Sequence, residues 1–367
     1  MNFKVTIIIP FYNSEKFIRR TLKSIEIQTI GLENIEVLMF NDCSTDRTKE
    51  IIDEYADKYS NFKAIHFPEN TGSSGIARNK GIKLAKADYL MFLDHDDTFK
   101  KDACEVLYKT ITSENVDHVI GSFTVNNQKH LHGTPQFFRT KGNVKISNVK
   151  ECPQLFHMAP GIWSCIFNKK LIIDNKIEFP TIIGEDAIFL AKVLLNANGI
   201  VFLTDFIACN HEDLLKESLS NRRDRNNFKE YLDSITIVGK LFDEFGMAEN
   251  FEDYVEYRLN YFLNHIILSD FDKNDIKFIL KEMKWITNSF WIRNHEFKEL
   301  KKNQRAYILF SAIINENIEF IMYLKQFLYK QFMQERKLNK LKNNNKQIKN
   351  KLKNLKSTKK WLKYKLE

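Results

Sequence analysis

Three carboxylates fall within four residues in Asp94-His95-Asp96-Asp97, directly after the apolar run Tyr89–Leu93. Carboxylates packed this closely repel one another unless a cation neutralises them. Hard oxygen ligands suit Mg²⁺ or Mn²⁺, and those ions commonly share their coordination with substrate phosphates. The segment reads in two ways. One is a divalent-cation site on Asp94 and Asp96, with His95 between them, serving a substrate that carries a diphosphate. The other is an acidic loop that caps the next helix.

Four further residues carry a chemical and a bland reading side by side. Asp42, in Asn41-Asp42-Cys43-Ser44-Thr45-Asp46, could accept the imide N–H of a uracil ring; Ser44, Thr45 and Asp46 are better suited to helix capping. Tyr12 could stack on a base or simply pack. Arg78 could pair bidentately with phosphate, or lie on the surface. Asp186, after Glu185, could take the proton of an attacking hydroxyl as general base, or favour a helix dipole from the first turn.

The elements that must position these residues follow from hydrophobic period. Val5–Ile9, Ile35–Phe40, Phe62–Phe67 and Tyr89–Leu93 are short apolar runs, read as buried strands. Between them Ile18, Leu22 and Ile25, then Ile51, Ile52, Tyr55 and Tyr59, then the stretch Ile76–Ala85, mark helices. The alternation β-α-β-α-β-α-β predicts a mostly parallel α/β sheet with helices on both faces. Ligands bind such sheets outside the carboxyl ends of the strands. Pro10-Phe11-Tyr12-Asn13, the Asp42 cluster and the Asp94 cluster each follow a strand, so they should converge.

The remainder divides by composition. Residues 1–221 read as one α/β domain, with a nucleotide-binding half over 1–100 and an acceptor half over 101–221 that includes a loop-like stretch at Asn126–Lys150. Residues 222–330 are aromatic-rich, helical and almost free of Gly and Pro. Residues 331–367 carry 13 Lys/Arg against 2 Asp/Glu, which leaves the rest of this +9 chain at −2. The basic character belongs to this tail, so the body gives no reason to expect a nucleic-acid partner. Leu338, Leu341, Asn345, Ile348, Leu352, Leu355, Lys359, Leu362 and Leu366 form a three-four seam there. The seam predicts a basic amphipathic or coiled-coil helix, chiefly an anchor to an anionic membrane surface and also a homodimer seam. The five cysteines show no C-x-x-C pair, and reduced thiols are expected. With no apolar run of about 18 residues and no leader-like N-terminus, the expectation is a cytoplasmic protein peripheral at the inner face of the membrane.

Taken in order, Pro10-Phe11-Tyr12-Asn13, Asn41 to Asp46, Gly75-Ile76-Ala77-Arg78-Asn79, Asp94-His95-Asp96-Asp97 and Glu185-Asp186 resemble the motifs of family 2 glycosyltransferases over roughly residues 3–221. The resemblance is to bacterial enzymes that decorate surface polymers, wall teichoic acid transferases among them. It implies a GT-A fold, a UDP-sugar donor, a polymer or glycan acceptor, Mn²⁺ or Mg²⁺, and inversion at the anomeric carbon. By motif, Pro10 and Asp42 would border the uracil, and Asn70 and Arg78 would approach the nucleotide. Asp94 and Asp96 would be the DxD pair, with Asp96 on the metal, and Asp186 the base. Three departures stand out. His95 replaces the more usual Ser, and Cys165 stands where a Lys is common. Ser218-Leu219-Ser220 has only His211, Arg222 and Arg223 nearby, so the third metal ligand and the diphosphate clamp stay unassigned. A sugar-nucleotide-forming transferase would instead want a Gly-rich basic loop after the first strand. A non-catalytic scaffold acting through the tail would have no use for Asp94, Asp96 and Asp186.

Overall fold

A computed structural model describes residues 2–125, 142–158, 161–211, 224–284, 296–331, 333–334 and 337–338. The tail seam beyond Leu338, most of the loop-like stretch and the Ser218-x-Ser220 segment lie outside the described residues.

The first hundred residues alternate as their periods predict. Strands β1 (Val5–Phe11), β2 (Ile35–Asn41), β3 (Phe62–His66) and β4 (Tyr89–Phe92) are interleaved with helices α1 (Ile18–Glu26), α2 (Thr48–Lys58) and α3 (Ser74–Leu84). They lie side by side in the order β3-β2-β1-β4, all parallel. The chain continues through β5 (Thr98–Phe99), α4 (Ala103–Glu114), β6 (His118–Val125), β7 (Val144–Ile146), β8 (Cys165–Asn168), α5 (Lys169–Asp174), α6 (Glu185–Asn196) and β9 (Ile200–Asn210). These strands extend the sheet as β4-β8-β6-β9-β5, with β7 also on β9. Here β8 runs antiparallel to both β4 and β6, while β6 and β9 are parallel. The described end of the stretch expected to be a loop thus holds a strand, because Val144 and Ile146 alternate against Phe202 and Ile200 of β9.

Alternation along each strand divides the core between two faces. Ile7, Ile9, Val37, Met39 and Met91 join Ile18, Leu22 and Ile25 of α1, Ile52 of α2 and Leu107 of α4 in one cluster. On the other face Phe92 meets the rings of Phe167, Phe179 and Phe189 edge-on at 5.3–5.7 Å. Gly81 of α3 lies there against Ile8, so close that a Cβ would stand 2.5 Å from Ile8 Cγ2. Ile8 is a fully buried, χ1-restricted residue of an inner strand and has little room to yield. Gly81→Ala should therefore lose up to about 2 kcal/mol in urea unfolding, because overpacking of about 1–3 kcal/mol outweighs the helix-propensity gain of about 1 kcal/mol. A variant as stable as the parent would contradict this close approach.

The sheet parts where the site lies. β1 stays paired with β2 as far as Phe11 and Asn41, but with β4 only as far as Ile8 and Phe92. The Ile8 carbonyl accepts from Leu93 on the β4 side and the Phe11 carbonyl from Asp42 on the β2 side. By alternation the Pro10 nitrogen faces the side that β4 has left. A proline cannot donate to a ladder, so Pro10 sits at the one stretch of this inner strand that needs no donor there.

Contacts divide the chain into two compact units, residues 1–222 with 226–257, and residues 223–225 with 258–367. The first unit thus runs past 221, the boundary read from composition. It takes in most of helix α7 (Arg225–Glu244), whose Phe242 packs edge-on to Phe156 at 4.6 Å. Helix α8 (Phe251–Leu268) follows, and Tyr254 near its start packs on Phe242. Within the second unit helix α9 (Lys273–Glu282) begins with a capping box on Asp272 and Asp275. Two more helices, Lys298–Lys302 and Gln304–Ile314, follow. Among the described residues no helix is long and apolar enough to cross a membrane.

Candidate active site

Two loops form one rim of the opening between β1 and β4. After β1, Asn13 adopts φ +46° and accepts from the Thr45 amide at 2.8 Å, while its own amide donates to Ser44 Oγ at 3.0 Å. Ser14 N–H donates to Thr48 Oγ1 at 2.7 Å. Glu15 N–H donates to Asp46, and the Glu15 carboxylate accepts from the Arg47 amide. Ser44, Thr45 and Asp46 thus tie the two loops together, and Asp46 also accepts from the Thr48 amide at the start of α2. Tyr12 is 47% exposed on this rim, so it is not a packing residue. Asp42 is nearly buried, and its Oδ1 accepts from the Thr71 amide at 2.9 Å. Asn70 donates to the Asp42 carbonyl at 3.1 Å and accepts from Gly72 at 2.9 Å, closing the loop that leads to α3. Pro10, Tyr12, Asp42 and Asn70 are therefore brought to one edge of the opening.

On the other edge Asp94 to Asp97 make a turn closed by Asp97 N–H to the Asp94 carbonyl at 3.1 Å. Asp96 is 7% exposed. Burial above all, and the neighbouring Asp94 charge, raise its carboxyl above the usual aspartate range, with His95 opposing. Asp97 is fully buried and accepts from the His211 amide at 3.0 Å, which ties the turn to the end of β9. The His211 ring meets Thr98 Oγ1 at 3.1 Å.

Arg78 does not lie on the surface. It is 3% exposed, and its guanidinium reaches Asp94 at 2.7 Å, Asp186 at 2.9 Å and Glu185 at 3.2 Å. Ser74 Oγ accepts from the same guanidinium and donates to Glu185. Burial disfavours the Arg78 charge, but Asp186, Asp94 and Glu185 outweigh it and hold its pKa above the ordinary value. Asp186 keeps 20% of its side chain exposed. Burial of its carboxyl is the largest influence and pushes it well above the usual range; Arg78 pulls it down, and Glu185 and Asp94 push it up again.

Glu185 and Asp186 open α6 behind Gly184, which takes φ +86°. They sit in the first turn, so the dipole reading and the proximity to Asp94 hold together. Helix α7 backs this turn. Glu230 accepts from the Ile183 amide at 3.0 Å, and a Cβ on Gly184 would stand 2.8 Å from Ser234 Oγ.

Residues 6–172 match the family Glycosyl transferase family 2. This stretch is a family 2 glycosyltransferase domain. Over 205 residues the chain is 32% identical to a poly(ribitol-phosphate) beta-glucosyltransferase of Bacillus spizizenii, covering 55% of this chain; it spans only 31% of that relative's length. Across 90% of the chain its fold is similar to residues 1–349 of Staphylococcus aureus TarS, solved with UDP-GlcNAc, at TM-score 0.55 and 20% identity, covering 92% of that chain. It is also similar to the mannosyltransferase PcManGT of Pyrobaculum calidifontis, solved with GDP-Man and Mn²⁺, at TM-score 0.50 and 14% identity, covering 90% and 87% of the two chains. The glycosyltransferase domain has the GT-A fold.

Several members of this candidate site were not singled out by sequence. Ser74 had no signal beyond its place before α3. Arg20 and Thr21 of α1 contact the turn at Asp94–Asp97 and could not be told from other helix residues. Cys165, where related enzymes often have Lys, is buried in β8, and burial pushes its thiol up to about 12. It carries no positive charge.

Proposed function

We propose that this chain is a metal-dependent inverting glycosyltransferase that moves a sugar from a UDP-sugar to a hydroxyl of a bacterial surface polymer or glycan. The observation that carries this reading is the single ion cluster of Arg78, Asp94, Glu185 and Asp186 beside the Asp94–Asp97 turn, across the parted strands from Tyr12 and Asp42. The names of the relatives, which act on poly(ribitol-phosphate), favour a polyol-phosphate polymer as acceptor.

The donor set fits a divalent cation. Asp96 is a nearly buried carboxylate whose pKa is raised by burial above all and then by the neighbouring Asp94 charge, and a bound cation favours its charged form. Among the described residues no group of three or more His, Cys, Asp and Glu side chains makes a metal cage. Asp94 and Asp96 would hold the ion together with oxygens of the diphosphate, as suits Mg²⁺ or Mn²⁺. When bound, the ion supplies positive charge to the departing diphosphate.

The chain's own residues do the rest. Tyr12 stacks on the uracil and Asp42 accepts its imide N–H, on a rim fixed before the donor arrives. Arg78 takes Asp186 Oδ1, so Oδ2 accepts the proton of the acceptor hydroxyl. That oxygen attacks the anomeric carbon as the bond to the UDP oxygen breaks, and one displacement inverts the centre. A raised pKa keeps Asp186 basic enough to take a hydroxyl proton near neutral pH.

Calorimetry with UDP, Mn²⁺ and Mg²⁺ tests the reading. The parent should bind UDP far more tightly with the ion, and Asp96→Ala should lose most of that gain while keeping its fold, since one fewer carboxylate relieves repulsion. Unchanged Mn²⁺-dependent UDP binding in Asp96→Ala would refute the assignment. Hydrolysis of UDP-sugars separates this reading from that of a non-catalytic scaffold, and NMR of the transferred sugar should show the inverted anomer.

A further inference from the structure

The turn that carries the two proposed metal ligands is gripped from outside by one helix. Thr21 Oγ1 donates to the His95 carbonyl at 2.8 Å, and the Arg20 guanidinium donates to the Asp96 carbonyl. His95 and Asp96 are the two central residues of the turn closed by Asp97 N–H on the Asp94 carbonyl. The directions of those two carbonyls define the rotation of the two peptide planes, and so the type of turn. They thereby fix where the Cα–Cβ bonds of Asp94 and Asp96 point. α1 itself is anchored by packing Ile18, Leu22 and Ile25 into the core, all fully buried.

The grip is costly. Thr21 is fully buried, and Arg20 Nε is buried with no hydrogen-bond partner. An unpartnered buried donor on a charged group is unfavourable, and its persistence calls for a reason other than stability. The guanidinium is placed to serve one carbonyl of the turn, with the ring of Phe17, the residue just before α1, 5.8 Å away.

We propose that Arg20 and Thr21 are positioning residues that hold the Asp94–Asp97 turn in the one geometry able to bind a metal-bound nucleoside diphosphate. The inference rests on the function proposed above and assigns the preorganisation of its metal loop to α1. Without the grip the two carboxylates would relax apart, and binding would have to restore their geometry.

The test is titration calorimetry of UDP into the full chain, with and without Mn²⁺, for the parent and for Thr21→Val, Thr21→Ser, Arg20→Gln and Arg20→Lys. Electron paramagnetic resonance of Mn²⁺ gives a second readout that does not depend on turnover. Thr21→Val keeps the shape of the side chain and removes only the donor. We expect Thr21→Val and Arg20→Gln each to weaken Mn²⁺-dependent UDP binding about tenfold, with metal-free UDP binding unchanged. Thr21→Ser should bind as the parent does, and Arg20→Lys should recover part of the loss. The Thr21→Val, Arg20→Gln double variant should lose less than the product of the two, because both act on one turn. Parent-like Mn²⁺-dependent binding in both Thr21→Val and Arg20→Gln overturns the grip while the proposed function stands. If the parent itself shows no Mn²⁺-dependent UDP binding, the proposed function fails and this inference with it. A loss in Thr21→Val that Thr21→Ser shares, with a matching fall in melting temperature, would make the contact merely structural.

Discussion

Asp186→Asn is expected to bind UDP-sugar as the parent does and to transfer sugar at least about 10²-fold more slowly, within the 10²–10⁴ range for losing a general base. The amide matches the carboxylate in shape, and its oxygen can still accept from Arg78, now 2.9 Å away. What disappears is the second oxygen's capacity to take a proton. The pH dependence gives a second signature. The parent's turnover should rise with pH through the raised Asp186 value, because only the deprotonated form is a base. Asp186→Asn should lack that rise. If it instead loses UDP-sugar binding while the bound complex turns over at the parent rate, Asp186 is a donor contact and not the base.

Arg78→Met should cost about 3–5 kcal/mol at neutral pH, the range for removing one partner of a buried ion cluster. Methionine fills similar space but leaves Asp94, Glu185 and Asp186 without their shared cation. The sign with pH follows from linkage. Burial already raises Asp186, and loss of the Arg78 charge that pulls it down raises it further. A carboxyl whose native pKa exceeds its unfolded value binds its proton more tightly in the native state. Stability is then greatest below the unfolded pKa and falls as pH rises through the native one. The deficit should therefore be largest at neutral pH and shrink on mild acidification. Urea unfolding at both pH values checks this; a deficit under about 1 kcal/mol, or one indifferent to pH, would show that Arg78 is not the hub of the cluster.

The parallel half of the sheet was legible because its strands are continuous apolar runs and its helices keep a clean 3.6 period. The second half was less so, because β8 and β7 are four and three residues long, too short to declare a period. Arg78 shows how a site residue hides in plain view. Its spacing to Gly81, Ile82 and Ala85 places it on the buried stripe of α3, and all four are buried. A cation on such a stripe needs anions facing it, and those come from β4 and α6, 16 and 108 positions away. Local sequence cannot report that pairing. The same holds for Arg20 and Thr21, whose partners are backbone carbonyls about 75 positions on, groups every residue possesses. Tyr12 and Asp42, by contrast, could be placed early because a parallel strand delivers its last residues to one predictable edge.

The bonds between the Asn13–Glu15 and Ser44–Thr48 loops bear on how such a pocket can diverge. Asn13, Ser14 and Glu15 each exchange hydrogen bonds with residues 31–34 positions later. A substitution in one loop strands a donor or acceptor in the other, so neither can drift alone. Under the proposed function, exchanging the nucleobase would require paired changes across two separate stretches of the gene. The donor's nucleotide should accordingly be slow to change among descendants of this chain, while segments outside this lattice of bonds remain at liberty to follow a new acceptor.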